Sequence, residues 1–167
     1  MSISISKAEA FAIADAIGGI KATEKELGNA YHQSIGRAVN YANKRVTREI
    51  ASRLDIPLKL LRKRLFVFKQ DSHKGSYKIW AGLNDLPLDG LGRPKQVGID
   101  VLVKGITAGN AYITKAGRVR LRGTAELAVL VIDEQAEDLL QKLLPYYFYD
   151  YFEKEFTQLV KFKFGGT

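Results

Sequence analysis

The chain contains no cysteine, so disulfides, thiolate nucleophiles and cysteine-ligated zinc are excluded. It also lacks an apolar run near the roughly 18 residues that cross a bilayer. The most apolar window, LAVLVI at 127–132, suits a buried strand. The first residues have no basic segment and carry Glu9 and Asp15 within their apolar stretch, unlike a secretory signal. We therefore expect a protein that is made in the cytoplasm and has no membrane contact.

Residues that could carry catalysis are scarce. The two histidines, His32 in a predicted helix and His73 in a predicted turn, have no nucleophile or carboxylate at a recognisable spacing. Neither GxxxxGK nor GxGxxG is present. Asp150, Glu153 and Glu155 could supply ligands to a metal-dependent nuclease, but the solvated face of a helix explains them more simply. We expect no enzymatic activity, no cofactor and no metal site.

Positive charge, by contrast, is abundant and unevenly distributed. The net charge is +8, and residues 37–69 carry ten Lys and Arg against two acids, whereas residues 133–167 carry four against seven. A concentrated positive segment suits the phosphates of nucleic acid or an acidic protein surface, and a solvated basic face is the simpler alternative. From this segment we select as candidate contacts for protein or DNA Arg45, Arg48, Lys59, Arg62, Lys63 and Arg64.

The segment from Thr23 to about Arg53 has the periodicity of one long helix, because apolar residues recur every three or four positions. Thr23 and Glu26 match a capping box at its start. Asp55 and Pro57 are expected to end this helix and to begin a shorter basic one in PLKLLRKR. The first helix is too long and the second too short for a typical helix-turn-helix, which argues against sequence-specific DNA binding.

Two further helices are predicted, one at residues 7–17 that is closed by Gly18, and one at 133–164 that Pro145 should kink or restart. The C-terminal helix carries more aromatic residues than one buried helix face accommodates in a small monomer. We therefore expect some of them at a subunit interface, and we select as interface residues Tyr147, Tyr151 and Phe152.

Between these helices the chain is rich in β-branched and aromatic residues. LFVFKQ and SYKIWAG, joined by DSHKG, predict a hairpin; NDLPLDGLGRP predicts turns, and VGIDVLV, AYITK, RVRLR and LAVLVI predict further strands. The order of elements indicates an α+β fold, with the long N-terminal helix and the C-terminal helix packed on a mainly antiparallel sheet. We expect one domain, divided into residues 1–21, 22–64 (basic helices), 65–132 (sheet) and 133–164 (C-terminal helix).

Four segments, taken in this order, resemble the minor tail protein Z family of tailed bacteriophages, also called tail completion proteins. RAVNYANKRVTREIASRLDIPLKLLRKRL at 37–65 is similar to the family's small-residue helix that runs into a short basic helix. YKIWAGLNDLPL at 77–88 resembles its strand and Asp-Leu-Pro turn. AYITKAGRVRLR at 111–122 and LLPYYFYDYFEKEFTQLV at 143–160 resemble its basic hairpin and its Leu-Pro-led terminal helix. The resemblance covers most of residues 25–163.

The resemblance implies a non-enzymatic virion protein that completes the head-proximal end of the tail and joins it to the head connector. Proteins at this position form rings around the DNA channel, so we expect a homo-oligomer, by resemblance a hexamer, assembled in the host cytoplasm. Its neighbours would be tail terminator, tail tube or head connector proteins, with non-specific contact to genomic DNA. The basic middle of one subunit and the acidic end of the next suit a head-to-tail contact. The alternative is a cytoplasmic DNA-binding protein that uses the basic helices at 37–64.

Overall fold

The computed structural model describes residues 2–18, 20–71 and 76–164. Residues 72–75 of the predicted hairpin turn, His73 among them, lie outside the described residues. The helices are α1 Lys7–Ile17, α2 Glu24–Arg53, α3 Leu58–Arg62 and α4 Asp133–Phe164, and Leu88–Gly90 forms a 3-10 turn. The strands are β1 Ser2–Ile3, β2 Leu65–Asp71, β3 Ser76–Ala81, β4 Leu86–Pro87, β5 Lys95–Val97, β6 Asp100–Val103, β7 Ile106–Ala108, β8 Ala111–Ile113, β9 Val119–Leu121 and β10 Val129–Leu130.

Side-chain caps fix the point at which α2 begins. The Thr23 hydroxyl accepts a hydrogen bond from the backbone N–H of Glu26 at 3.3 Å, and the Glu26 carboxylate accepts one from the backbone N–H of Thr23 at 2.8 Å. These bonds supply partners to N–H groups that the first turn of a helix leaves unpaired. The predicted helix from Thr23 to about Arg53 is therefore confirmed.

The chain reverses between α2 and α3. Asp55 adopts a positive φ of 51°, and Pro57 then precedes the first residue of α3. Lys104 Nζ braces the reversal by donating to the Asp55 carbonyl at 2.6 Å and to the Asp55 carboxylate at 2.5 Å. Because strand β2 follows almost at once, α3 ends at Arg62 and is shorter than the basic helix predicted through Arg64.

Helices α2 and α4 form the centre of the fold and run antiparallel. Arg37 in the first half of α2 pairs with Glu155 in the second half of α4, whereas Glu49 near the end of α2 accepts a hydrogen bond from Tyr147. The apolar stripe predicted on α2 is buried as expected. Its buried apolar members are Ala30, Tyr31, Ile35, Ala38, Val39, Ala42, Val46, Ile50 and Ala51.

The α4 side of this core is aromatic. Phe148, Phe152 and Phe156 are fully buried, and successive rings stack with their centroids 6.1 and 5.5 Å apart. Of the kink or restart predicted at Pro145, the restart is wrong, since α4 continues through this proline as one helix. A proline removes one backbone hydrogen bond from a helix, and the burial of apolar residues on both sides offsets that loss.

The strands confirm the α+β class, but they form four small antiparallel sheets among the described residues where one sheet was expected. The strand orders are β1–β3–β2, β10–β4, β5–β6–β7 and β8–β9. The predicted strand VGIDVLV is divided, because Gly98 adopts a positive φ of 60° and turns the chain between β5 and β6. LAVLVI is not a buried strand, since β10 covers two of its residues and Val131 is 65% exposed.

The β2–β3 hairpin has two unlike faces. Successive side chains of a strand point to opposite sides of the sheet. On the inner side Ile79 is buried against the core. On the outer side Phe66 pairs with Trp80 and Phe68 pairs with Lys78 across the two strands. The outer side is not covered by another element of the described chain, because all four of these side chains are exposed.

Candidate functional site

Three basic side chains line one cleft beside α2. The cleft is bounded by α2, α3 and β2 and has a volume of about 510 Å³. Lys44 and Arg48 lie one turn apart on α2, and Arg62 reaches the cleft from the end of α3. The chain reversal at Asp55 brings these two helices together. The remaining lining residues of this basic cleft are Asn43, Thr47, Leu58 and Leu65.

The cations of the basic cleft are not neutralised within the protomer. Lys44, Arg48 and Arg62 are exposed, and none forms an ion pair with a carboxylate of the described residues. Arg53, further along α2, does pair with Glu49 at 3.4 Å. Positive charges gathered at one opening raise the local potential, so the cleft attracts an anion.

Polar groups lie between these cations. The Thr47 hydroxyl donates a hydrogen bond, at 2.6 Å, to the backbone carbonyl of Asn43, which lies one turn earlier on α2. Asn43 Nδ2 donates weakly, at 3.5 Å, to the carbonyl of Leu65. Asn43 Oδ1 is buried and has no hydrogen-bond partner among the described residues. A buried acceptor of this kind is costly without a donor, so a water or ligand that reaches it gains a hydrogen bond.

The structure places Arg45 and Arg64, two of the six predicted basic contacts, in contacts within the protomer. The Arg45 guanidinium lies over the Tyr147 ring, 5.5 Å from its centroid, between α2 and α4. Arg64 donates to the backbone carbonyl of Asn84 and, at 3.4 Å, to that of Asp85. Both side chains are only partly exposed and neither lines the basic cleft. Their contacts join elements of one chain.

The other four predicted contacts are all exposed and fall into two pairs. Arg48 and Arg62 line the basic cleft. Lys59 lies on α3 and Lys63 directly after it, outside the cleft lining and without an ion pair among the described residues. The sequence therefore identified two of the three cleft cations. Charge alone did not distinguish these two cations from the other four predicted basic contacts.

The aromatic residues that were predicted at a subunit interface are engaged inside the protomer. Phe152 has no exposed surface, so its prediction as an interface residue is wrong: it belongs to the core. Tyr151 stacks on Tyr41 with ring centroids 4.0 Å apart, and Tyr147 donates to Glu49 at 3.4 Å. Partial burial raises the pKa of the Tyr151 hydroxyl, and a neighbouring carboxylate adds to the shift. Tyr147 and Tyr151 keep a partly exposed edge.

Two of the three carboxylates near the C-terminal end, Asp150 and Glu155 but not Glu153, form ion pairs among the described residues. Glu155 forms an ion pair with Arg37, and Asp150 forms one with Lys154 at 2.7 Å. Hydrogen bonding to Asp150 raises the pKa of Lys154. Within residues 2–18, 20–71 and 76–164, no three His, Asp or Glu side chains form a group that could hold a metal ion.

A second surface was missed by the sequence analysis. Phe66, Phe68 and Trp80 on the outer side of the β2–β3 hairpin are 40%, 54% and 48% exposed. The rings of Phe66 and Trp80 stack with centroids 5.7 Å apart, and Phe68 lies 6.5 Å from Phe66. Together with Lys78, which lies opposite Phe68 on the neighbouring strand, these residues form what we call the aromatic face. Contiguous exposed aromatic surface on a small protein indicates a binding surface.

The exposed side of α4 is the third surface of interest. Tyr146 and Tyr149 are 64% and 48% exposed, next to the exposed carboxylates of Asp150 and Glu153. Tyr149 donates to the Ser4 carbonyl at 3.3 Å, which holds its ring close to the segment that follows β1. We call Tyr146, Tyr149, Asp150 and Glu153 the acidic helix face. It combines apolar area with negative charge, whereas the aromatic face combines apolar area with a lysine.

Comparison with protein families, with curated proteins and with solved structures finds no match to this chain.

The described helices include none with the length and apolarity of a membrane span. The longest, α4, has charged residues throughout its 32 residues. Its apolar residues are instead buried against α2.

Proposed function

We propose that the chain is a structural virion protein of a phage tail, which completes the head-proximal end of the tail as a ring around the DNA channel and joins it to the head connector. The resemblance of its ordered segments to tail completion proteins suggests the role. The observation that carries the proposal is the aromatic face, because a monomer that acts alone has no use for three adjacent exposed aromatic rings.

The occupant that we propose for the aromatic face is the acidic helix face of a second copy. Both surfaces carry exposed aromatic area, and Lys78 on one complements Glu153 on the other, which forms no ion pair among the described residues. Contact between two unlike surfaces of identical subunits is heterologous, and it closes into a ring when the rotation between neighbours is suitable. A groove of about 840 Å³ beside Trp80 is lined by Lys78 and also by Asp133 and Glu137, so charges of both signs border the aromatic face.

Association of the purified protein tests this proposal. Mass photometry over a range of concentrations should show a discrete ring mass that forms without duplex DNA and persists between about 50 and about 300 mM salt. The chain has a single tryptophan, Trp80, so its emission should shift to shorter wavelength and its quenching by acrylamide should fall as rings form. A mass that stays monomeric, with Trp80 equally quenched at every concentration, would contradict self-association through this face.

Two variants make the test specific. Phe68→Ser should abolish the ring mass, because it removes the most exposed ring of the aromatic face. Ile99→Ser is the matched control, since Ile99 is 67% exposed on the turn between β5 and β6 and lies outside both proposed surfaces. If both variants reduce the ring mass equally, the loss reflects general solubility and the aromatic face is not the contact.

The unpaired cations of the basic cleft favour a second candidate function, that of a cytoplasmic DNA-binding protein. Such a protein should change mass only when DNA is present, and this change should disappear at the higher salt concentration. A ring protein should show its mass change without DNA. The same photometry series therefore separates the two functions.

A further inference from the structure

We propose that the basic cleft is a binding site for a phosphate group of the nucleic-acid backbone. The site consists of Lys44, Arg48 and Arg62, with Asn43 and Thr47 between them. This inference deepens the proposed function, because it names the contact between the subunit and the genome. It rests on the proposed function only for the identity of the DNA, since all the residues of the cleft belong to one protomer.

The arrangement of charge supports a phosphate. Arg48 and Arg62 come from different helices and Lys44 from the turn before Arg48, so donors approach one opening from more than one direction. A phosphate presents several oxygens and accepts such donors at once, with arginine binding two oxygens in parallel. No acidic side chain lines the cleft, so the bound anion meets no like charge in its wall.

The cleft also has the shape for more than a bare ion. Its volume of about 510 Å³ lies within the range of about 300–1,000 Å³ that is usual for small-ligand sites. Leu58 and Leu65 add apolar wall, against which the sugar next to a phosphate can pack. A water that donates to Asn43 Oδ1 can donate its second proton to a phosphate oxygen, which satisfies the buried acceptor.

The other predicted basic contacts lie outside the site. Arg45 is held over Tyr147, and Arg64 is held by backbone carbonyls. Lys59 and Lys63 are exposed and unpaired, but they do not line the cleft. If charge alone bound DNA, all exposed cations would contribute alike. If the cleft binds it, Arg48 and Arg62 should contribute more than the lysines of α3.

The experiment is a fluorescence-anisotropy titration of a labelled duplex of about 20 base pairs with the full chain, repeated between about 50 and about 300 mM salt. Arg48→Gln with Arg62→Gln should weaken binding at low salt by about tenfold or more and reduce the slope of log K against log salt by about one, the contribution of one neutralised phosphate. The matched control, Lys59→Gln with Lys63→Gln, removes the same charge and should change affinity by less than about threefold. All four residues are exposed, so circular dichroism should show unchanged folding.

A further variant separates geometry from charge. Arg48→Lys with Arg62→Lys keeps the net charge but removes paired N–H donors, so it should recover only part of the lost affinity. Equal losses from the cleft pair and the lysine pair would overturn the proposal. So would tight binding of poly-glutamate by a chain that ignores duplex DNA, which would assign the cleft to an acidic protein.

The outcome is distinguishable from a failure of the proposed function. The Arg48 and Arg62 variants should still form rings by mass photometry, because neither residue lies on the aromatic face or on the acidic helix face. Phe68→Ser should lose the ring mass and yet leave the affinity of each protomer for phosphate in place. An unmutated chain that forms rings but does not bind duplex DNA would overturn only the phosphate site, and one that binds duplex DNA but forms no ring would overturn only the proposed function.

Discussion

The α2–α4 helix pair and the β2–β3 hairpin are both rich in aromatic residues, but they place them in opposite environments. On α4 the rings of Phe148, Phe152 and Phe156 are enclosed by the protomer, whereas on the hairpin Phe68 and Trp80 face outward. The difference does not follow from composition. It follows from which side of each element is left without a partner, and it places the candidate subunit contact on the hairpin.

The largest effect should come from truncating one ring in each region. Phe152→Ala removes a fully buried side chain and should lower the free energy of unfolding by about 3–5 kcal/mol. Phe68→Ala should cost less than about 1 kcal/mol in the isolated protomer, because half of that ring is already in water. Urea denaturation at a concentration that keeps the protein monomeric measures both. Similar costs for the two variants would remove the distinction between the regions.

Removal of the N-cap of α2 should have a smaller effect on the free energy of unfolding. Thr23→Ala removes the hydroxyl that accepts from Glu26 N–H and should destabilise the protein by about 1 kcal/mol. Thr107→Ala on β7 provides a control, since that threonine is exposed and caps no helix. Thermal unfolding followed by circular dichroism gives the comparison. If Thr107→Ala is equally costly, capping is not the reason for the loss.

The contact between Arg45 and Tyr147, at the edge of the helix pair, should contribute less to stability than the cap. Arg45 lies over the Tyr147 ring at 5.5 Å, a geometry that contributes about 0.5–1 kcal/mol at partly exposed sites. A double-mutant cycle of Arg45→Ala and Tyr147→Ala should give a coupling energy in that range. Additive losses would show that Arg45 is not held by this ring. Arg45 would then again be a candidate contact for protein or DNA.

The smallest expected effect is on how stability changes at acidic pH. Hydrogen bonds from the backbone N–H and the hydroxyl of Thr23 hold the pKa of Glu26 below its ordinary value of 4.5. Because the folded pKa is lowered, this contribution to stability is complete above pH 4.5 and is lost as the pH falls through the lowered value. Glu26→Gln keeps the capping geometry without titrating, so its stability should depend less on pH in that window.

The control for the acid experiment is Glu24→Gln, one residue into α2, because that side chain makes no hydrogen bond to the cap among the described residues. Its pH profile between about 5 and about 2 should stay close to that of the wild type. A flat wild-type profile would mean that the cap does not favour the ionised carboxylate.

Local patterns predicted the helices well because their information is local. The start of α2 at Thr23 depends on a capping box four residues long, and its end depends on the chain reversal at Asp55. The small sheets were predicted less well, since strand pairing depends on distant residues. Gly98 divided a segment that reads as one strand, and Val131 is exposed in the most apolar window of the chain.

The candidate surfaces were predicted only in part for the same reason. Arg48 and Arg62 were identified by their charge, but only the folded chain shows that Arg45 contacts a ring and that Arg64 binds a turn. The aromatic face escaped notice because LFVF is apolar at every position, so the alternation that separates inside from outside is absent. Phe152 was misassigned because aromatic density does not report burial.

The antiparallel pairing of α2 with α4 also sets the order in which the molecule can be completed. The ion pair between Arg37 and Glu155 joins residues 118 positions apart, so α2 can pack against α4 only after the intervening strands have been synthesised. Until then the apolar stripe of α2 is uncovered and exposed to chaperones and proteases. Partly synthesised chains therefore lack the α2–α4 pair that completes the core.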